Sequence, residues 1–369
     1  MSIQHMDFPS GSNGLWGYGS YSELNDADDG IYAYVLKKAS SSGRGCAMIE
    51  DVDPNVTGAM LEVTANVTNN YSDLIRYVLS STQNVVGISA RVYLPSLPTG
   101  GSASYPPIYN FKDISNNRMI CWQPLSTGAI QVRYDINDTE ESYTTPGPVL
   151  VAGTWNHIEM KVDISTGSIE MRIEGVTQVS VTGADIGALP VAQVAFGCEN
   201  GIGNNQAPQS YYIKDLVIWD ANGSVNNDFL GAVQVYDLAP TSDASFNWSA
   251  STGSTGYNLI DEAPPSDADY IYADDTPPAA STFNLSDLPE DVSSIRGIKT
   301  FARARKTDGG DGWMQVSMVS NGIEGNGTDR PVTTAYTYWM DIFELDPDTS
   351  ANWTRSGVNA ALLQIDRTI

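Results

Sequence analysis

Hydrophobic and polar side chains alternate along most of the chain, and the alternation has a period of two. Successive side chains of a β-strand point to opposite faces, so this period predicts strands with one buried face. The pattern is clearest in VVGISARVYL, AIQVRYDI, NHIEMKVDI, SIEMRIEGV, VAQVAFG and YYIKDLVIWD. Turns rich in glycine, proline and asparagine separate such segments, which favours antiparallel sandwiches. We therefore predict an all-β protein.

Long helical patterns are absent from the sequence, and the best helix candidate is the short segment GVNAALLQI near the C-terminus. IRGIKTFARARK and WMQVSMVS flank the turn TDGGDG, which predicts a hairpin. TTAYTYWMDIFEL predicts a further strand. YIYA predicts a short strand inside an acidic, proline-rich stretch at 261–281.

A run of turn residues, DANGSVNND, follows YYIKDLVIWD and predicts a domain boundary near residue 222. FLGAVQVYDL then predicts the first strand of the next domain. A chain of 369 residues is long enough for two domains with separate cores. We assign 1–222 to the first domain and 223–369 to a second β-sandwich domain.

The segment TWNHIEMKVDISTGSIEMRIEG, at 154–175, places several carboxylates on one predicted hairpin. A tight turn at Thr166-Gly167 pairs Val162 with Met171 and puts every apolar residue on one face. On the other face, directly opposite residues carry like charges and diagonal neighbours carry opposite charges. That face consists of Glu159, Lys161, Asp163, Glu170, Arg172 and Glu174. Nearby cations keep carboxylates ionised, so we interpret this face as solvated, with a glycosidase site as the alternative.

The chain is strongly acidic, with 44 acidic against 19 basic residues and a formal net charge of −25. Such a surface repels nucleic-acid phosphates and anionic lipids, so we expect neither as a partner. The first residues, MSIQHMDFPSGSNG, are polar and show no signal peptide or membrane anchor. Three widely spaced cysteines, Cys46, Cys121 and Cys198, predict buried thiols made in a reducing cytosol. With only two histidines, we expect no zinc site.

Oxygen-bearing residues alternate after YYIKDLVIWD, and Asp220, Asn222 and Asp228 are candidate calcium ligands. The glycine of this segment is misplaced for an EF-hand loop, and no glutamate closes it. The alternative is an interdomain turn held by side-chain-to-backbone hydrogen bonds. Apart from calcium, the sequence predicts no cofactor.

Two further segments carry candidate binding residues. Alternation places Lys299, Phe301, Arg303 and Arg305 on one face of a strand, which predicts either an exposed strand or a subunit interface with an acidic neighbour. Tyr109 and Asn110 lie in the loop PPIYNFKDISNNRM. They are the candidate carbohydrate-binding residues, because a sugar platform needs an exposed aromatic ring beside an amide or carboxylate.

The hairpin also resembles the laminin-G-like, or concanavalin-A-like, jelly roll. Matching positions are Trp155, His157, Thr166-Gly167 and Gly175-Val176, while Glu174 replaces the usual Asp. The resemblance covers roughly residues 1–222 and implies an antiparallel jelly-roll sandwich. Glycosidases of this fold carry a Glu-x-Asp-x-x-Glu motif, which is not found here; EDVDP at 50–54 comes nearest. The fold hosts lectins, hydrolases and scaffolds alike.

The region 211–365 is similar to a segment that recurs in tailed-bacteriophage structural proteins. The matching positions are Asn227-Asp228-Phe229-Leu230-Gly231, Pro240, Trp248, Gly253, Tyr257 and Asp261-Glu262. IRGIKTFARARKTD and DPDTSANWTRSGVNA resemble its later strands and its tail, with Ser350 where glycine is usual.

This second resemblance implies a non-enzymatic virion structural protein, such as a capsid decoration or a head- or tail-associated protein. Its C-terminal domain is expected to dock to major capsid or tail subunits, and its jelly roll to project. We expect a homo-oligomer, located in the virion after assembly in the host cytoplasm. The alternatives are an adhesin or tail-fibre lectin for host surface glycans and, third, a glycan-degrading enzyme.

Overall fold

In the computed structural model, the described residues are 1–7, 45–50, 59–65, 75–98, 107–134, 141–196, 209–262, 266–274 and 279–369. The predicted all-β class is confirmed, since nearly all regular structure is antiparallel strand. The chain divides into two compact units, and the division falls between Val235 and Tyr236. It therefore lies 13 residues beyond the boundary that we placed at 222, because the intervening segment packs on the first unit.

The first unit contains fourteen strands among its described residues. They are β1 (Ile3–Asp7), β2 (Gly45–Glu50), β3 (Ala59–Ala65), β4 (Ile75–Gln83), β5 (Val85–Tyr93), β6 (Tyr109–Lys112), β7 (Arg118–Pro124), β8 (Ile130–Tyr134), β9 (Glu141–Thr144), β10 (Trp155–Asp163), β11 (Ser168–Ile173), β12 (Val176–Val181), β13 (Val191–Phe196) and β14 (Gln209–Asp220).

These strands form the two antiparallel sheets of the predicted jelly-roll sandwich. The eight-stranded sheet has the order β12-β11-β10-β5-β14-β3-β2, with β1 also paired to β14. The six-stranded sheet has the order β4-β13-β6-β7-β8-β9. Ile88, Met160 and Val162 from the first sheet, and Phe111 and Trp122 from the second, are fully buried. Their period-two spacing therefore builds the core, as the sequence pattern predicts.

The described residues of the second unit form ten strands and one short α-helix. They are β15 (Pro240–Ser245), β16 (Ser249–Ala250), β17 (Ile271–Tyr272), β18 (Ser281–Leu285), β19 (Ile298–Ala304), β20 (Trp313–Ser320), β21 (Ile323–Gly325), β22 (Arg330–Pro331), β23 (Thr337–Phe343), α1 (Arg355–Ala360) and β24 (Leu362–Arg367).

A six-stranded sheet with the order β15-β18-β24-β20-β21, and with β22 on β20, forms one layer of the second unit. The ribbon β19-β23 packs on it through Ala302, Ala304 and Trp339, around the buried side chains of Phe283 and Val316. This packing gives the second predicted sandwich. The small ribbon β16-β17 confirms the short strand predicted within YIYA.

Of two local predictions for the second unit, the hairpin is wrong, and the helix is confirmed only in its first residues. β19 and β20 do not form a hairpin, because β19 pairs with β23 while β20 pairs with β24. The connection TDGGDG therefore links two layers and not two neighbouring strands. In GVNAALLQI, the helix ends at Ala360, and Leu362 begins the strand between β18 and β20. The β-sheet positions of these leucines override their helix propensity.

Candidate functional site

The hairpin β10-β11 has a register two residues away from the one we predicted. Val162 pairs with Ile169, and the turn spans four residues between Asp163 and Ser168. A shift of two keeps every side chain on its predicted face, since strand side chains alternate. It reverses the charge pattern, however, because Lys161 now lies directly opposite Glu170. Glu159 likewise lies opposite Arg172, so both directly opposite pairs of charged residues on this face carry opposite charges.

The predicted solvated face is partly buried. Glu159 is only 1% exposed, and its Oε1 atom accepts hydrogen bonds from the backbone N–H groups of Leu230 (2.8 Å) and Gly231 (2.9 Å). These donors belong to residues 227–235, NDFLGAVQV, which we call the strap. The strap forms no strand, which corrects our prediction for FLGAVQVYDL. It lies instead across the outer face of the eight-stranded sheet.

Aromatic and charged contacts hold the start of the strap. The Phe229 ring lies 3.6 Å from the Arg172 guanidinium carbon and packs edge-on to Trp219, with the ring centroids 6.3 Å apart. Lys161 Nζ donates to Asp228 Oδ1 at 2.8 Å. Gly87 makes room on the sheet, because a Cβ there would lie 2.0 Å from the Trp219 ring. Small side chains on β5 thus allow the indole and the strap to pack closely.

The far end of the strap is fixed by a second buried carboxylate. Asp215 Oδ1 accepts the N–H of Val235 at 2.9 Å, and Asp215 Oδ2 lies 3.3 Å from Arg91 Nε. Asp215 has a φ of 53°, in the left-handed region, at a bulge where the register of β14 against β5 shifts. Sequence reasoning missed this residue. The signal was a change of phase within YYIKDLVIWD, where Ile213 and Leu216 are both buried.

His157 lies beside the strap and is buried. Its Nε2 atom is 3.0 Å from Ser89 Oγ, and its backbone N–H donates to Glu174 Oε1 at 2.6 Å. Burial lowers the pKa of His157 and the charge of Arg91 lowers it further, although the carboxylate of Glu174 partly opposes them. The imidazole is therefore neutral near pH 7, and its contacts hold neighbouring strands together.

The face of the six-stranded sheet that points away from the core carries polar side chains. Cross-strand pairing aligns Gln123 with Gln131 on this face. Gln123 Nε2 donates to Gln131 Oε1 at 2.7 Å, and Gln131 Nε2 donates to Ser142 Oγ at 3.3 Å. Gln123 is 2% exposed, and its Oε1 atom has no hydrogen-bond partner among the described residues. This chain of amides is the candidate ligand-binding feature of the first unit.

The predicted sugar platform is wrong for Tyr109 and Asn110. Both lie on β6, and both have no exposed surface. Tyr109 points into the core, where its ring packs against Trp122 and Phe196 with centroid distances of 5.4 and 5.9 Å. Burial raises the pKa of the Tyr109 hydroxyl well above its usual value. A buried ring offers no surface to a sugar.

The candidate calcium ligands are used for protein contacts. Asp220 is buried and accepts hydrogen bonds from Gln4 Nε2 at 2.9 Å and from the N–H of Asn222 at 2.8 Å. Asp228 is paired with Lys161. In the described part of the chain, no group of three or more His, Cys, Asp or Glu side chains is placed to hold a metal ion. These contacts favour the alternative of a turn held by side-chain-to-backbone hydrogen bonds, but the turn lies within the first unit and not between two domains.

The basic strand β19 has the predicted faces, since Ile298, Ala302 and Ala304 pack inward. On the outer side, Arg303 Nη2 lies 3.1 Å from Asp267 Oδ2. The guanidinium carbons of Arg303 and Arg305 lie 4.5 and 4.6 Å from the centroid of the Tyr336 ring. Lys299 Nζ lies 5.9 Å from the ring of Phe301. The two arginines thus have partners within their own unit.

Two other predictions concern cysteines and membranes. Cys121 is buried, as predicted. Cys198 and the side chain of Cys46 lie outside the described residues. Over the described ranges, no helix is long and apolar enough to cross a bilayer.

Comparison with known proteins found no matching family model and no matching curated protein. Several solved structures are similar to the chain in part. A sialidase matches with a TM-score of 0.41 and 9% identity, over 60% of this chain and only 19% of its own. The cellulose-induced protein Cip1 matches with a TM-score of 0.37 and 16% identity, over 49% of this chain and 88% of its own. A binding domain of botulinum neurotoxin serotype D matches with a TM-score of 0.34 and 13% identity, over 88% of this chain and 98% of its own.

Proposed function

We propose that this chain is a non-enzymatic structural protein of a tailed-bacteriophage virion, whose second unit docks to other virion subunits and whose jelly roll projects. The observation that carries the proposal is the strap. Its sequence NDFLGAVQV is the start of the phage-like motif series, and it closes the outer face of the jelly-roll sheet through Glu159 and Asp215.

Motif residues of the second unit also have architectural roles. Pro240 opens β15 and is buried. Trp353 Nε1 donates to the carbonyl oxygen of Phe343 at 2.9 Å. Ser350 has a φ of 54°, the left-handed conformation that glycine adopts most easily, at the position where the phage-like segment has glycine. Motif residues that form turns and pack against other residues are more typical of a structural scaffold than of a catalytic site.

The carboxylates of the jelly roll support a non-enzymatic role. Glu159 and Asp215 are buried and accept backbone N–H groups, while Glu170 is paired with Arg172 at 2.8 Å. A general acid needs a carboxyl group that holds a proton near neutral pH. Carboxylates that accept hydrogen bonds from backbone amides are stabilised in the ionised form.

Mass spectrometry of gradient-purified virions tests the proposal. The expected result is this chain at a fixed ratio to the major capsid protein, retained after a high-salt wash. A soluble host enzyme serves as the control and should be removed by the same purification. Presence of the chain in infected-cell lysate together with its absence from purified virions would contradict the proposal.

A second candidate function is glycan binding by the jelly roll, and the amide chain Gln123–Gln131–Ser142 favours it. Amide side chains both donate and accept, so a row of them suits sugar hydroxyls. Gln123 is itself buried and holds the amide of the half-buried Gln131, so Gln131 and the exposed Ser142 are the members of this chain that a sugar can reach. This feature replaces Tyr109 and Asn110 as the candidate carbohydrate site.

Glycan-array binding by the full chain and by two variants tests the second candidate. Gln131→Met removes a half-buried amide at similar size, and Gln178→Met makes the same change at a half-buried position on β12 of the other sheet. Binding that is lost in the first variant and kept in the control supports the site. A wild-type chain that binds no glycan on the array rules the second candidate out.

A further inference from the structure

The ribbon β16-β17 of the second unit exposes two neighbouring aromatic rings. Tyr270 and Tyr272 are 47% and 42% exposed, and their ring centroids lie 6.2 Å apart at an interplanar angle of 57°. Both side chains point to the same side of the ribbon, since they are two residues apart. We call them the tyrosine pair. Large exposed aromatic rings are costly to leave in water, and neighbouring ones mark contact sites.

The tyrosine pair is held in place by its own unit. The N–H of Tyr270 donates to Ser251 Oγ at 3.1 Å, and the N–H of Ser251 donates to the carbonyl oxygen of Tyr270 at 2.9 Å. Ile271, which lies between the two tyrosines in sequence, packs against the core cluster of Phe283 and Val316. The basic strand contributes as well, because Arg303 binds Asp267 just before the pair. The backbone that carries the rings is therefore held in place, which lowers the entropy lost on binding.

The surroundings of the tyrosine pair are acidic. The pKa of Glu262 is raised by burial and further by the negative charges of Asp261 and Asp269, so these three carboxylates lie near one another. The segment 261–274 itself contains no lysine or arginine, although Arg303 pairs with Asp267 and Arg367 donates to the carbonyl oxygen of Asp274. From Tyr236 onward the unit has 20 acidic against 8 basic residues, a formal net charge of −12. A cation approaching this ribbon is attracted, and an anion is repelled.

We propose that the tyrosine pair is a docking site for an arginine-bearing basic segment of a partner protein. Guanidinium groups stack on tyrosine rings and pair with carboxylates, and both features lie together here. The same unit uses this chemistry internally, where Arg303 and Arg305 flank Tyr336. Rings tilted by 57° do not make the flat platform on which consecutive sugars stack, which favours a protein partner over a glycan.

This inference rests on the proposed virion role, since the partner is then a neighbouring virion subunit. It changes which surface of the second unit docks. Within the unit, Arg303 of the basic strand pairs with Asp267 beside the ribbon, and the complementary basic residues belong to the partner.

Fluorescence anisotropy with a labelled deca-arginine peptide tests the site in the full-length chain. Replacement of both rings by Tyr270→Ala/Tyr272→Ala leaves the net charge unchanged and should weaken binding roughly tenfold, as expected for two cation–π contacts. Tyr270→Phe/Tyr272→Phe keeps the rings and should bind nearly as the wild type does. The matched control Asp308→Asn/Asp311→Asn removes two charges from another loop and should cost much less than the loss of the rings.

Equal peptide affinity for the wild type and the double alanine variant would overturn the proposal, because the attraction would then be a matter of net charge alone. Glycan binding that depends on the tyrosine pair, with peptide binding unaffected, would overturn it too. Far-ultraviolet circular dichroism and thermal melting establish that each variant is folded. If the chain is present in virions and its peptide binding does not depend on the rings, only this inference is wrong. If peptide binding depends on the rings and the chain is absent from virions, only the virion role is wrong.

Discussion

The carboxylate of Glu159 accepts the backbone N–H of Gly231 at 2.9 Å, across 72 residues of sequence. The same oxygen accepts the N–H of Leu230, and the glutamate side chain is 1% exposed. Hydrogen bonds to a charged acceptor are stronger than hydrogen bonds to a neutral one. The Glu159 carboxylate also satisfies two backbone donors of the strap, which itself forms no strand. This contact explains how a segment without secondary structure remains attached to the jelly roll.

Removal of the Glu159 carboxylate should destabilise the first unit. We expect Glu159→Ala to lower the free energy of unfolding by about 3 kcal/mol, since two buried N–H groups lose their acceptor. Urea unfolding of the purified chain measures the change. The control is Glu170→Ala, which removes a half-exposed ion pair and should cost less than about 1 kcal/mol. Equal stability of the two variants would show that the strap is held by other contacts.

Gly87→Ala should be among the most damaging small substitutions in the chain. The added methyl group would lie 2.0 Å from the ring of Trp219, which is fully buried and cannot move aside. Overpacking of this kind costs about 3 kcal/mol or more. Thermal melting provides the measurement, with Gly147→Ala as the control because nothing lies within 4 Å of its added Cβ. The close packing of β5 against the indole is refuted if both variants melt like the wild type.

Arg172 and Phe229 should be energetically coupled. Their cation–π distance of 3.6 Å predicts an interaction of about 1 kcal/mol in a double-mutant cycle built from Arg172→Ala and Phe229→Ala. The comparison cycle pairs Arg172 with Glu170, a partly exposed ion pair for which we expect about 0.5 kcal/mol or less. A coupling to Phe229 below that to Glu170 would mean that the ring does not anchor the strap.

The stability of the first unit should fall below pH 6.5 because of His157. Its pKa is lowered in the folded protein by burial, whereas the unfolded side chain titrates near 6.5. Below that pH the unfolded chain takes up a proton that the folded protein does not. The free energy of unfolding therefore decreases as the pH falls from 6.5 toward the lower pKa of His157 in the folded protein. His157→Gln should flatten this dependence in urea unfolding between pH 5.5 and 7.5. A pH slope unchanged in the variant would assign the effect to other groups.

The hairpin shows how far the sequence pattern could be followed. Alternation placed Val162 and Met171 on the buried face, and both are fully buried. The register was wrong by two residues, since the turn is longer than the tight turn that Thr166-Gly167 predicted. A register shift of two residues changes every cross-strand pair but leaves each side chain on the same face of the sheet. The pattern of buried positions therefore could not reveal it.

The candidate sites were harder to predict than the fold. The sequence predicts that Tyr109 lies in the loop PPIYNFKDISNNRM, yet it belongs to β6 and faces the core. Glu159 was assigned to solvent because its own hairpin has a polar face, and only the strap makes that position buried. The exposed rings of Tyr270 and Tyr272 lie in an acidic stretch. The sequence pattern did not indicate that Arg303 pairs with Asp267 in this stretch.

The order of residues by itself determined the all-β class, the two sandwiches and the identity of most buried side chains, because a period of two is a local property of each strand. The tertiary structure decided which strands are neighbours, where the units divide and which polar groups are buried. Those features depend on contacts between residues far apart in the chain, such as Glu159 with Gly231 and Asp215 with Val235. A local pattern carries no record of such contacts, since the amide that satisfies a carboxylate can come from a residue of any type other than proline.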